Sequence, residues 1–379
     1  MANLTVARNL CCRVTVCNKI SNCVAGVTVV SQRNAGTYNP SVVPRGRGGR
    51  SSFSGMSVAV FGASGFVGRY LVNRLGKEGS QIIIPHRCDP YYVQHMKLMG
   101  DLGQINFQEY TVKETERIRD IVKHCNIVIN LLGQDYETRN FHFEDIHINV
   151  AGTLAKICKE EGVGRLIHLS ALSADITSPS KFLRTKAAGE TVVRREFPEA
   201  IIIKPAQIYG SEDRYFNHFA NQRFAGGVPL YFSAWKSVKR PVFVTDVAQG
   251  ILMACKEKDA EGKTYEFYGP KPYFLSDVIE YIYRITRRPY IKYPLPKFVL
   301  KGIARGFELY PFIPWLTRDM LEVQHSAEIP TEGVPGLEDL GITPKTMEMN
   351  AIIGLRRHRA DASYHFGIDD IEPVPVAKS

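Results

Sequence analysis

Short, almost uninterrupted apolar runs alternate with amphipathic stretches along the first two thirds of the chain. Residues 57–61, 81–84, 126–132, 165–170 and 200–203 are dominated by Val, Ile and Leu and are too short for helices, whereas 115–124, 143–161 and 180–196 carry apolar residues at a helical period. Alternating strands and helices, with the strands apolar on both faces, predict an α/β fold built on a parallel sheet that helices cover on both sides. In such sheets ligands bind beyond the carboxyl ends of the strands. The residues that follow each strand therefore matter most: Gly133, Ser170 with Ala171, and Pro205 through Gly210.

The first strand runs directly into a helix through Gly62, Ala63, Ser64, Gly65, Phe66, Val67 and Gly68. Glycines there permit a tight turn and a close backbone approach. The N–H groups and positive dipole end of the new helix then face the pyrophosphate of a dinucleotide, as in a Rossmann-type doubly wound sheet. A Gly-rich turn with no ligand is the bland alternative; the strand before, the helix after and the strand returning at 81–84 favour the nucleotide. The second strand ends at Pro85-His86-Arg87, where the adenosine ribose would be recognised. An acidic residue there would favour NAD, whereas the Arg87 guanidinium suits a 2′-phosphate and so NADPH. NADH remains an alternative if Arg87 is only a solvated charge, and FAD is another, because such loops hold the pyrophosphate of either class.

Charge changes the picture at the N-terminus. Of the net +10, seven charges (Arg8, Arg13, Lys19, Arg33, Arg45, Arg47 and Arg50) lie within residues 1–55, which hold no acid, leaving +3 for the rest. A basic, Ser- and Thr-rich segment without a long apolar stretch is expected to be a mitochondrial transit peptide and linker over residues 1–50, with a basic arm as the alternative. The remainder is too balanced to suggest nucleic acid as a partner. No apolar run is long enough to span a bilayer, so any membrane contact would be peripheral. Cys88, Cys125, Cys158 and Cys255 are widely spaced and are expected to be reduced thiols. His142, Glu144, Asp145 and His147 fit no ligand motif, and no metal is expected.

Five ordered motifs are similar to those of the extended and atypical short-chain dehydrogenases/reductases over roughly residues 56–290: Gly62/Gly65/Gly68, Asn149-Val-Ala-Gly152-Thr153, Ser170, Pro205-Ala-Gln-Ile-Tyr209-Gly210 and Val242-Phe-Val-Thr-Asp246-Val-Ala248. The resemblance implies an NAD(P)-binding domain in which Leu132, Gly133, Ser170, Lys186 and Pro205 join the glycine loop around the cofactor. It also locates the decisive departure. The family's proton donor is a tyrosine four residues before a lysine, and here that pair is Phe182 and Lys186. Positioned acid–base catalysis is worth about 10²–10⁴ in rate, so Ser170, Phe182 and Lys186 are expected to be degenerate remnants of an active site. The alternative donors are the Tyr209 hydroxyl or a bound water, and neither is expected to stand in. Thr111 sits near where the family often carries an adenine-contacting Asp.

More narrowly, the chain resembles the dehydrogenase-like accessory subunits of mitochondrial respiratory complex I. The likeness continues through Val238-Lys-Arg-Pro-Val242, Leu295-Pro-Lys-Phe298, Pro314-Trp-Leu-Thr-Arg-Asp319 and Pro335-Gly-Leu-Glu-Asp-Leu-Gly341. It implies a non-catalytic, NADPH-binding subunit on the matrix side of the inner membrane, with other complex I subunits as partners and a role in assembly or stability. The alternative is an active NADP-dependent reductase or epimerase of the matrix. After residue 290 the sequence turns Pro- and aromatic-rich, which suggests a smaller, mostly helical C-terminal lobe over 291–368, followed over 369–379 by a tail or an extended arm with little to pack. Within it a helix over 297–310 has a narrow, largely basic face of Lys297, Lys301, Arg305 and Glu308 beside Phe298, Val299, Ile303 and Phe307. Such a helix suits a partner or anionic lipid headgroups, or else packs on the lobe of its own chain.

Overall fold

The computed structural model describes residues 44–221, 227–231, 237–309, 314–359 and 371–377. Residues 1–43, most of the expected transit peptide, lie outside them. Seven parallel strands form the central sheet: β1 (Ser57–Phe61), β2 (Gln81–His86), β3 (Ile105–Glu109), β4 (Ile127–Asn130), β5 (Arg165–Leu169), β6 (Ile201–Pro205) and β11 (Thr264–Phe267), in the order β11-β6-β5-β4-β1-β2-β3. The expected Rossmann-type sheet is thus present. Two of its strands went unread in the sequence, β3 because Gln108 and Glu109 break its apolar run and β11 because Glu266 does.

Alternation along β1 shows why both faces need cover. Val58 and Val60 join one core with Leu71 and Leu75 of α1 (Phe66–Lys77), while Ala59 and Phe61 join the opposite core with Ile118 of α2 (Thr115–Val122) and Leu154 of α3 (Ala151–Glu160). On that second face α3 packs against α4 (Lys181–Glu196). The helix expected over 143–161 is present from Phe143 to Glu160, and it includes a wide π-helical turn over Asp145–Val150 that turns His147 inward. Such turns recur at functional sites.

Beyond β6 the chain leaves the sheet through β7 (Ile208–Tyr209) and a short α5 (Phe216–Asn221). Four more strands, β8 (Gly227–Tyr231), β9 (Val238–Lys239), β10 (Val242–Phe243) and β12 (Tyr273–Phe274), are small, and α6 (Val244–Lys256) returns to the sheet to pack on α1. The second lobe is built by α7 (Leu275–Ile285), β13 (Ile291–Leu295) paired with β8, α8 (Lys297–Glu308), α9 (Arg318–His325) and α10 (Met347–Leu355). Its core mixes Tyr209 and Phe216 with Tyr273, Ile282, Met347 and Leu355.

Residues 291–368 are therefore not a separate body. The lobe begins at residue 208, and Leu337 and Leu340 run back into the core of the sheet itself. A buried ion pair, Lys239 to Glu328 at 3.0 Å, ties the two halves of the chain together. Of the expected tail or extended arm, residues 371–377 are described: Ile371 and Val374 pack on the second core, and Ala377 N–H donates to the Pro272 carbonyl at 3.0 Å. At the other end, residues 45–54 fold back onto the α1–β2 turn, where Ser54 N–H donates to the Gly79 carbonyl at 3.1 Å.

Helix α8 packs on its own lobe through one face and leaves apolar side chains exposed elsewhere. Leu300 and Ala304 are fully buried with Leu316 and Leu321, while Phe298 and Leu309 are 76% and 80% exposed. No helix among the described residues is long and apolar enough to cross a membrane.

The packing of α4 on the π-helical turn has a measurable consequence. A Cβ at Gly189 would lie 2.2 Å from the His147 carbonyl oxygen, whereas at Gly302 nothing lies within 4 Å. Gly189→Ala is expected to cost about 2 kcal/mol or more in urea unfolding, and Gly302→Ala to add about 0.5–1 kcal/mol. Equal effects at the two positions would contradict this packing.

Candidate functional site

A cleft of about 370 Å³ opens beyond the carboxyl ends of the strands, between the sheet and the second lobe. Its floor is the glycine loop. Gly62 adopts φ +85°, and a Cβ there would lie 3.0 Å from the Leu131 carbonyl. At Gly68 a Cβ would lie 2.5 Å from the Ala63 carbonyl, so α1 starts as close to β1 as a backbone can. Gly65 opens that helix without a side-chain cap, and its first turn holds no acid. The N–H groups there stay available to an anion.

Of the residues expected around a cofactor, Gly62, Gly65, Phe66, Val67, Gly68, Gly133, Ser170, Lys186 and Pro205 line this cleft, with Phe182 beside them. Three do not. Ser64 is exposed, and its carbonyl accepts from Arg69 Nε at 3.3 Å. Leu132 packs on the helical layer beside Val128, and Leu131 faces the cleft instead, because alternate residues leave a strand on opposite sides. Arg87 stands exposed past the end of β2, its guanidinium 5.5 Å from the centre of the Phe141 ring and outside the cleft wall. Thr111 is exposed next to Tyr110, which packs edge-on against Phe61.

Lys186 dominates the electrostatics. Its side chain is buried, and its ammonium donates to the Leu169 carbonyl at 3.2 Å without a carboxylate in an ion pair. Burial pulls its pKa down to about 8, against the weaker pull of Asp135 and Glu190 upward. A buried cation beside a glycine cradle suits an anionic, phosphate-bearing ligand. The residues present thus fit a dinucleotide.

Proton transfer fares differently. Phe182 packs edge-on against His147 at 5.2 Å and lies 5.9 Å from the Lys186 ammonium. Thr185 donates its hydroxyl to the Phe182 carbonyl at 3.0 Å, so His147 Nδ1 donates to Thr185 at 2.9 Å and Nε2 accepts from Gln134 N–H at 3.5 Å. Burial, with Lys186 and His168 nearby, lowers the His147 pKa and keeps the ring neutral. The Ser170 hydroxyl donates to Glu190, which in turn pairs with Lys204 at 2.8 Å. Nor does Tyr209 stand in: its ring stacks on Phe216 and its hydroxyl donates to the Thr346 carbonyl at 3.2 Å.

The C-terminal part of the chain supplies wall residues that local sequence patterns could not reveal. Met320, Val323 and Gln324 of α9 line the cleft, and Asp319 caps α4 by accepting from the N–H groups of Lys181 at 2.6 Å and Phe182 at 3.2 Å. The Asp319 carboxylate follows the principle that helix N-termini attract anions. Its only trace in the sequence is an acid two residues after Thr317, the N-cap of α9. The group around His142 and His147 holds no metal-like cluster, and none occurs among the described residues.

Comparison with known proteins agrees with this geometry. The model of the NAD dependent epimerase/dehydratase family matches residues 58–267. Mouse NADH dehydrogenase (ubiquinone) 1 alpha subcomplex subunit 9, mitochondrial, is 50% identical over 339 residues, 89% of each chain. The NADH-ubiquinone oxidoreductase 40 kDa subunit, mitochondrial, of Neurospora crassa is 34% identical over 369 residues, 96% of this chain and 95% of that one. Among solved structures, NADPH-dependent quinone oxidoreductase QOR2 of Escherichia coli, complexed with NADPH, superposes with a TM-score of 0.63 at 16% identity over 79% of this chain and 99% of that one. That likeness concerns the fold.

Lys186 gives a test with a definite sign. Its folded pKa of about 8 lies below the 10.5 of an ordinary lysine, so the unfolded chain binds the extra proton between those values and stability rises with pH across that window. Lys186→Met is expected to stabilise the nucleotide-free protein by up to about 3 kcal/mol at pH 7 and to lose that advantage by pH 10.5. Urea unfolding at both pH values measures this, and parallel pH profiles for the two proteins would contradict it.

Proposed function

Because the chain belongs to the NAD dependent epimerase/dehydratase family, and within it to the group of its mitochondrial NADH dehydrogenase relatives, we propose that it is a non-catalytic accessory subunit of complex I that holds NADPH. The observation that carries this reading is a cleft equipped to bind a dinucleotide in which Phe182 stands where the family's proton-donating tyrosine would be. The glycine cradle and the buried Lys186 ammonium are intact, while Phe182 has no hydroxyl and the Ser170 hydroxyl is turned to donate a hydrogen bond to Glu190. Bound NADPH would bring a nicotinamide able to give up hydride. The residues of this chain can position that ring and exclude water, but Phe182 has no hydroxyl to move a proton to a substrate oxygen from the place the family uses.

In this reading Gly62, Gly65 and Gly68 face the pyrophosphate, Lys186 and Ser170 border the nicotinamide ribose, and Arg87 pairs with the 2′-phosphate. The relatives' names support a mitochondrial complex as the setting. In this proposal the chain sits on the matrix side of the inner membrane and attaches peripherally. Phe298, Leu309 and the partly exposed Trp315 form an apolar surface at the edge of the second lobe, suited to other complex I subunits or lipid headgroups. Holding that lobe against the sheet is how a bound nucleotide would support assembly or stability.

Two measurements test the binding half of this proposal. The full-length chain is expected to take up one equivalent of NADPH, and Arg87→Ala to weaken NADPH about tenfold while leaving NADH nearly unchanged, in line with the loss of one charged hydrogen-bonded pair. Equal weakening of both nucleotides would refute the pairing of Arg87 with the 2′-phosphate. NADPH oxidation is expected to stay at background with carbonyl and quinone substrates. Turnover abolished by Lys186→Ala would instead establish the active reductase.

A further inference from the structure

Between β7 and α5 the chain crosses from the sheet to the second lobe through residues 210–215, along the edge of the cleft. This crossing is rigid. Asp213, 4% exposed, accepts from the N–H groups of Gly210 at 3.2 Å, Phe216 at 3.1 Å and Asn217 at 3.0 Å, and from Asn217 Nδ2 at 2.7 Å. One side of it lies against the glycine loop, since a Cβ at Gly210 would meet the Phe66 ring at 2.9 Å. On the other side α10 presses on it, with Gly354 so close that a Cβ would sit 2.5 Å from the Gly210 carbonyl.

Two ion pairs fasten this crossing to the sheet. Arg69, one residue past Gly68 on α1, pairs with Glu212 at 2.6 Å. Arg214 pairs with Asp135, in the loop after β4, at 2.7 Å. Asp135 and Arg214 are both part of the cleft wall, so their pair spans the opening between the two lobes. A ligand whose phosphates lie on the glycine loop would therefore sit behind a stiff segment pinned at two points.

We propose that residues 210–215 are a strap that holds the dinucleotide in place, with Arg69–Glu212 and Arg214–Asp135 as the fasteners that must open before it can enter or leave. The inference rests on the dinucleotide reading above and gives it a kinetic meaning. A redox cofactor that leaves at each turnover needs an open cleft, whereas a nucleotide kept as part of the architecture gains from a closed one. Because all four side chains are well exposed, at 39–71%, each pair is expected to contribute only a few-fold to the rate of release and to be screened by salt.

The test loads the full-length chain with NADPH and follows its fluorescence after mixing with excess NADP⁺. Glu212→Gln and Asp135→Asn are each expected to speed release about two- to fivefold, and together about tenfold. Release from the unaltered chain should quicken with salt, and release from the double variant should not. The exchanged pair Asp135→Arg with Arg214→Asp should restore slow release, which shows that the pairing matters and not the local fold. Unchanged rates in both single variants would overturn the strap while leaving the binding site standing. Slower release from Asp135→Asn would also overturn it, since Arg214 would then be acting on the phosphates directly. A chain that never takes up NADPH removes the dinucleotide reading, and the strap with it.

Discussion

The closeness of α1 to β1 governs the rest of this molecule. Where Gly68 passes the Ala63 carbonyl there is no room for a single Cβ, and Gly62 turns back on the Leu131 carbonyl with a positive φ. That approach places the open end of α1 at the edge of the sheet. It also brings Phe66 against Gly210, so the same few glycines set both the floor of the cleft and the position of the second lobe above it. A larger side chain in the loop would disturb the nucleotide cradle and the lobe contact together.

Within that frame, the departures from an active dehydrogenase reinforce one another. Phe182 replaces the hydroxyl, and its ring packs into an apolar and aromatic corner with Phe143 and a neutral His147. Ser170 is turned toward Glu190, and the helix that carries Phe182, Lys186 and Glu190 is capped by Asp319 from the second lobe. What survives is the expensive part of the site, a buried ammonium that no carboxylate pairs with. A folded protein keeps such a group at a cost in stability, and a tightly held anionic nucleotide offsets that cost. The retained Lys186 and the lost tyrosine hydroxyl are consistent with a protein that binds a cofactor as a structural element.

Much of this was legible in the sequence because it is local. The glycine loop, the apolar strands and the Phe182–Lys186 spacing each lie within a dozen residues, and periodicity or steric need dictates them. Legibility failed where the answer depends on residues far apart. Glu109 and Glu266 disguised β3 and β11, the latter because Glu266 accepts from Thr331 N–H some sixty residues later. Asp319 and the walls contributed by α9 are cleft residues only because the second lobe folds back over the sheet. The terminal segment looked unpackable, yet Val374 finds a core formed by Tyr209 and Ile282, which no local pattern shows. Side chains switch faces at every step of a strand, so that the Leu131 side chain lines the cleft while that of Leu132 packs on the opposite core.

The central claim concerns where this chain resides, as a fixed part of a large assembly and not as a free reductase. Size fractionation of mitochondria solubilised in mild detergent tests it most directly, by locating this chain relative to NADH dehydrogenase activity. The account predicts co-migration of the two at the size of an intact respiratory complex. Migration of the chain alone, at the size of a monomer or dimer, would contradict it.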